Sequence, residues 1–147
     1  MDKKFMVRAL TLAKISASEG EIPVGAVIVK DGEIVGEGRN MREQKNSALS
    51  HAEIEAIAMA NRNLNDWRLS DCEMYVTLEP CAMCTGAIIN SRLKTLIFGA
   101  FDTEKGCVDG AMNLCDGSLG HKPEVYCGIM EQECKELLTD FFKEIRN

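Results

Sequence analysis

Asp31-Gly32 is the feature that most restricts what this chain can fold into. The pair is all that separates two β-branched runs, residues 24–30 and 33–36, and Asp-Gly between such runs is a strong signal for a two-residue hairpin turn. A tight antiparallel hairpin is predicted. Ahead of it, Phe5, Met6, Ala9, Leu10, Leu12, Ala13 and Ile15 recur close to a helical period and stop before Gly20, which predicts a first helix over residues 2–18. No apolar run approaches the roughly 18 residues of a membrane helix, because even residues 24–29 are closed by Lys30 and Asp31.

Beyond the hairpin, residues 40–49 follow neither period and read as a loop. Ser50-His51-Ala52-Glu53 has the form of a capping box, with Ser50 accepting from the third helical amide and Glu53 reaching back, so a second helix is predicted over 51–62. Met74-Tyr75-Val76-Thr77-Leu78, inside residues 71–78, is a strand. Pro80 suits the first turn of a third helix that carries Met83, Ala87 and Ile88 inward. Residues 93–100 form another strand and 124–127 a short one. The Gly/Asp-rich stretch 101–121 between them is a long loop of the kind that usually serves function. A final helix over 131–145 puts Cys134, Leu137, Leu138, Phe141, Phe142 and Ile145 on one side. This order implies an α/β fold, a mixed sheet with helices on both faces. A length of 147 residues predicts one domain spanning 1–147, and 46% hydrophobic content suffices for its core without disulfides. The seven cysteines follow no secreted pattern, and Met1-Asp2-Lys3-Lys4 runs straight into the first helix, so the thiols are expected reduced and the location cytoplasmic.

Chemistry is concentrated in His51-Ala52-Glu53 and Pro80-Cys81-Ala82-Met83-Cys84. Cys81 and Cys84, three apart at a helix start, share a face and can offer two thiolates to one tetrahedral Zn²⁺. Taken alone, the pair could also be two buried thiols or, less in keeping with an element order that is not thioredoxin-like, a redox motif, and Glu53 could be only the capping glutamate. Jointly the two segments spell the His-x-Glu…Pro-Cys-x-x-Cys signature of zinc-dependent nucleobase deaminases. One imidazole and two thiolates leave a fourth position open to water, as in a catalytic zinc site. That assigns His51, Cys81 and Cys84 as ligands of one zinc per chain, with no organic cofactor, and Glu53 as the proton shuttle. Helix positions i and i+2 do not share a face, so His51 must sit in the first turn to reach the same site as Glu53. Cys72, Cys107, Cys115, Cys127 and Cys134 show no ligand spacing, and His121 reads as a surface residue or a substrate contact.

Nearly the whole chain resembles the bacterial tRNA-specific adenosine deaminases of the cytidine deaminase superfamily. The carrying segments are Pro23-Val24-Gly25-Ala26-Val27, Ser50 to Glu53, Tyr75 through Cys84, Gly86-Ala87, Ser91-Arg92, Phe98-Gly99-Ala100 and Phe141-Phe142-Lys143. The resemblance implies a three-layer cytidine deaminase-like fold with a five-stranded mixed sheet. It further implies a homodimer that converts the wobble adenosine of a tRNA anticodon loop to inosine. On the same basis Asn40 would hold the purine, Asp102 and Lys105 would contact the loop backbone, and Phe142 and Arg146 would border the RNA. Two segments depart from the family pattern: Asn46-Ser47-Ala48-Leu49-Ser50 replaces Asp-Pro-Thr-Ala before the histidine, and the stretch from Gly110 to His121 is shortened. Lys+Arg 17 against Asp+Glu 23, a net charge of -6, argues against broad nucleic-acid binding but allows a local basic site. A free nucleobase or nucleoside deaminase and a non-catalytic zinc-stabilised RNA-binding or dimerisation partner are the alternative readings.

Overall fold

A computed structural model describes residues 1–146, except for the side chain of Arg146. Its elements in chain order are α1 (Lys3–Ser18), β1 (Gly25–Lys30), β2 (Glu33–Arg39), α2 (Ala52–Leu64), β3 (Cys72–Leu78), α3 (Ala82–Asn90), β4 (Thr95–Ala100), β5 (Glu124–Cys127) and α4 (Glu131–Arg146). The strands lie in the order β2-β1-β3-β4-β5. β1 pairs antiparallel with β2 and β3, and β3, β4 and β5 run parallel. The predicted hairpin is there: Asp31 and Gly32 both adopt positive φ, 50° and 78°, the combination a type I′ turn demands. β2 runs three residues further than its sequence pattern suggested and carries a bulge, since Ile28 faces Gly36 while Val29 faces Ile34.

Side chains alternate between the two faces of the sheet. Ala26, Ile28, Met74, Val76, Leu96 and Phe98 pack under α2 and α3. Val27, Val29, Tyr75 and Ile97 pack under α1 and α4. Burying a side chain the size of Phe98 contributes about 1.5–3 kcal/mol. Helices on both faces are as expected, with one correction in α4. Phe142 and Ile145, expected inward, are 41% and 64% exposed, because the apolar stripe is wider than the surface that β3, β4 and α1 offer it. Among the described residues no helix is long and apolar enough to cross a membrane.

The start of α2 is fixed by close approach to β2. Ala52, Ala56 and Ala60, all fully buried, form one face of α2. A Cβ at Gly38 would overlap the Ala52 carbonyl oxygen and crowd the Ala56 amide. Gly38→Ala is therefore expected to destabilise the protein by about 1–3 kcal/mol, read as a lower urea midpoint. An unshifted midpoint would show that α2 can stand further from the sheet.

Candidate active site

The sequence-predicted loop 40–50 and the ends of the parallel strands meet where α2 and α3 begin. Ser50 does not form the expected capping box. His51 takes the N-cap position of α2 in an extended conformation, φ -84° and ψ 154°, and Ser50 Oγ instead donates to Glu55 Oε1 at 2.7 Å. The helix starts one residue later than the pattern suggested. His51 is thereby off the helical track and Glu53 sits in the first turn, 4% exposed, so both side chains can face one site despite their i, i+2 spacing. Pro80 is also displaced from its predicted place: Cys81 is the N-cap of α3 and Pro80 precedes it. Cys84, fully buried, lies in the first turn.

His51 Nδ1 stands 3.5 Å from Cys84 Sγ and 3.7 Å from Cys81 Sγ. All three donor atoms lie within 4.8 Å of one another. Tetrahedral zinc with ordinary Zn–S and Zn–N lengths requires S···N separations of about 3.5 Å, so this soft nitrogen–sulfur donor set fits one zinc. Between themselves the three groups share protons. Hydrogen bonds from Cys84 and then His51 push the Cys81 thiol down to about 3. The Cys81 hydrogen bond and burial push Cys84 up, and the Cys81 contact raises His51. Two helix N-termini aimed at the cluster favour its thiolate form. Burial, chiefly, pushes Glu53 up to about 7.

His51, Glu53 and Cys81 line a cavity of about 500 Å³, with Cys84 buried behind them, within the range of small-ligand sites. Ile22, Val24, Leu78, Leu138 and Phe142 give it apolar walls, and Asn40, Arg42, Asp102 and Lys105 give it polar ones. Four of the five expected substrate contacts therefore gather with Glu53, and the side chain of the fifth, Arg146, lies outside the described residues. Asn40 is anchored, its Oδ1 accepting from Arg42 N at 3.1 Å and its Nδ2 donating to the Ile22 carbonyl at 3.3 Å. Asp102 Oδ1 accepts from the amides of Glu104 and Lys105 at 3.2 and 3.0 Å, so one of its oxygens shapes the loop. His121 is not part of the cavity: its Nε2 lies 2.7 Å from the Leu93 carbonyl oxygen, which can only accept, so that nitrogen carries the proton.

Arg42, Glu21 and Glu79 were not legible as site residues. Glu21 and Glu79 are each 2% exposed. Glu21 accepts from the amides of Glu43 and Gln44 at 3.1 and 2.9 Å. Burial would raise Glu79, but four backbone amides from Asp102, Val108, Asp109 and Gly110 outweigh it and hold the carboxyl below its ordinary range. A buried charge at a strand end was the one available hint, since such a charge must find donors.

A three-layer fold whose cavity lies against two cysteine sulfurs, an imidazole and a buried carboxylate defines a zinc-dependent hydrolytic deaminase of nucleobases. Residues 1–100 match the zinc-binding region of cytidine and deoxycytidylate deaminases. The chain is 42% identical to the tRNA-specific adenosine deaminase of Bacillus subtilis (strain 168), over 99% of this chain and 91% of that protein. It is 46% identical to the tRNA-specific adenosine deaminase of Rickettsia bellii (strain RML369-C), over 97% of this chain and 100% of that protein. A solved structure from a study of A-to-I editing by tRNA:A34 deaminases at the wobble position superposes with a TM-score of 0.89. It is 38% identical and covers 93% of this chain and 100% of that one. The chain belongs to the cytidine and deoxycytidylate deaminase family, in the branch of the tRNA-specific adenosine deaminases.

Two outcomes follow from the geometry. Wild type should hold about one zinc per chain and Cys84→Ser much less, as metal analysis of the purified proteins would measure; equal zinc in both would exclude Cys84 as a ligand. In zinc-stripped protein, the raised Glu53 costs nothing below its unfolded value of 4.5 and destabilises increasingly as pH climbs through about 7. Glu53→Gln should then match wild type near pH 4.5 and exceed it by about 3 kcal/mol near pH 8, read from urea midpoints at the two pH values.

Proposed function

We propose that this chain, acting as one domain over residues 1–147, converts the wobble adenosine of a tRNA anticodon loop to inosine. The substrate reading rests on the full-length identity to tRNA-specific adenosine deaminases. The observation that carries the chemistry is the burial of Glu53 at the cavity floor beside the His51–Cys81–Cys84 cluster. In this reading His51 Nδ1 and the two Sγ atoms hold the zinc, and an ordinary carboxyl is shifted to about 7, where it can both accept and return a proton. Bound zinc supplies an acidified water at neutral pH. Glu53 would take one proton from the attacking water and deliver it to purine N1, then carry the second, from the new C6 hydroxyl, to the departing amine. The C6–N bond breaks, a C6–O bond forms, and ammonia leaves. Asn40, held by its neighbours, presents its remaining amide capacity to the purine edge, while Ile22, Val24 and Leu78 exclude water from its faces.

Such a base must leave its stack to reach the floor. Lys105, Phe142 and Arg146, with the free oxygen of Asp102, are the residues we assign to the RNA around it. Cytoplasmic location fits that substrate. A homodimer is supported by α3: Ala87 packs on the core as expected, but Met83, expected inward, is only half-buried, and with Ala82 and Gly86 it gives a small or apolar surface with open space above Gly86.

Incubation with an anticodon stem-loop should give inosine at the wobble position. Glu53→Gln should keep zinc and fold yet lose turnover. Lys105→Ala should weaken stem-loop binding and lower the salt slope by about one. Efficient, salt-insensitive release of ammonia from adenine, guanine or cytosine, with no inosine in the stem-loop, would move the chain to free-base deamination.

A further inference from the structure

Glu79 closes β3, two residues ahead of Cys81, and takes no part in the chemistry described above. Its backbone N–H donates to the Ala100 carbonyl at the end of β4, 2.9 Å away, which fixes it where the parallel strands finish. Its carboxylate is buried and, among the described residues, pairs with no cation; every bond it makes there is to the backbone of one segment. Oε1 accepts from Asp102 N at 3.0 Å, and Oε2 accepts from Val108, Asp109 and Gly110 N at 3.1, 2.7 and 2.7 Å. Three successive amides converging on one oxygen form an anion-binding nest, filled here by the protein's own side chain. The Cys107 amide, next to that nest, donates to the Pro80 carbonyl at 2.9 Å. A methyl group on Gly106 would overlap the Glu79 carboxyl carbon, so the segment is wrapped directly onto the carboxylate.

The segment has no regular secondary structure of its own. With no ladder or helix to hold it, its path is set by what its amides bind. Its first turn carries Asp102, Thr103, Glu104 and Lys105 along the wall of the cavity that His51 and Cys81 also line. One side chain thus joins the strand that leads into the metal cluster to the loop that meets the substrate.

We infer that Glu79 is a positioning residue for substrate capture: its carboxylate sets where the 102–105 wall stands relative to Cys81 and so governs recognition of the RNA, not the hydrolytic step. This deepens, and rests on, the proposed tRNA reading.

The variant Glu79→Gln keeps the shape but replaces one accepting oxygen with a donating NH₂, which must face amides that also donate. With an anticodon stem-loop as substrate, KM is expected to rise by about tenfold or more, as misplaced binding groups do. The saturating single-turnover rate should stay within about threefold, since Glu53 and the zinc ligands are unmoved. Zinc should remain at about one per chain, and hydrogen exchange at Val108, Asp109 and Gly110 should quicken. Should Glu79→Gln fail to fold, Gly106→Ala disturbs the same contact from the segment instead of from the carboxylate and should give the same rise in KM. A general loss of stability would not divide KM from turnover in this way. Unchanged KM in a folded variant, or loss of zinc and turnover together, would overturn the assignment. Wild type run in parallel separates the two levels: inosine from wild type with unshifted KM in the variants defeats only the role of Glu79. No inosine from wild type defeats the substrate reading and this inference with it.

Discussion

Parallel pairing of β3 with β4 is the constraint on which the rest depends. Parallel neighbours cannot be joined by a tight turn, so the chain must leave β3, cross the sheet and return. α3 is that crossover, and its N-terminus necessarily falls beside the end of β3. The same pairing brings the end of β4 alongside, so the segment after Ala100 emerges next to Cys81. The close contact of α2 with Gly38 then delivers a second helix N-terminus to the same place. The metal ligands on two helix starts and the substrate-facing segment after β4 meet because topology leaves their starting points no other location, consistent with ligand sites at the carboxyl ends of strands in open α/β sheets.

What the helix starts contribute is conformational as well as electrostatic. His51 and Cys81 both occupy N-cap positions with extended backbone. A cap residue belongs to neither the strand period nor the helix period, which frees its side chain to turn toward a common point. Neither cap makes the usual side-chain bond to its helix, so both helices forgo roughly 1 kcal/mol of capping. The free amides at these ends instead add positive potential around the thiolates.

Much of this was legible beforehand because it is local. The Asp31-Gly32 turn, the crossover around Pro80 and the spacing of Cys81 and Cys84 are each decided within a few residues, and the zinc cluster follows from them. Ser50 misled because a capping box and its neighbour one residue along look alike in sequence; tertiary burial of Glu53 chose between them. Phe142 misled because a helical stripe shows which side is apolar but not how much of it a partner covers. Glu79 was illegible for a different reason. Its donors lie 23 to 31 residues away along a segment with no period, and backbone amides carry no signature in the sequence at all.

Glu21 and Glu79 share one trait: each is satisfied mainly by amides, not by a cation. Dissolved ions largely screen exposed charges more than about 10 Å apart at 0.1 M and compete for phosphate contacts, yet scarcely reach a buried carboxylate in contact with N–H dipoles. The two loops that shape the cavity therefore keep their form as ionic strength changes, while the proposed grip of Lys105 on phosphate does not. Shape and grip in this protein answer to different solution variables, so salt can release a polyanion from the site without disturbing the mould that fits its base.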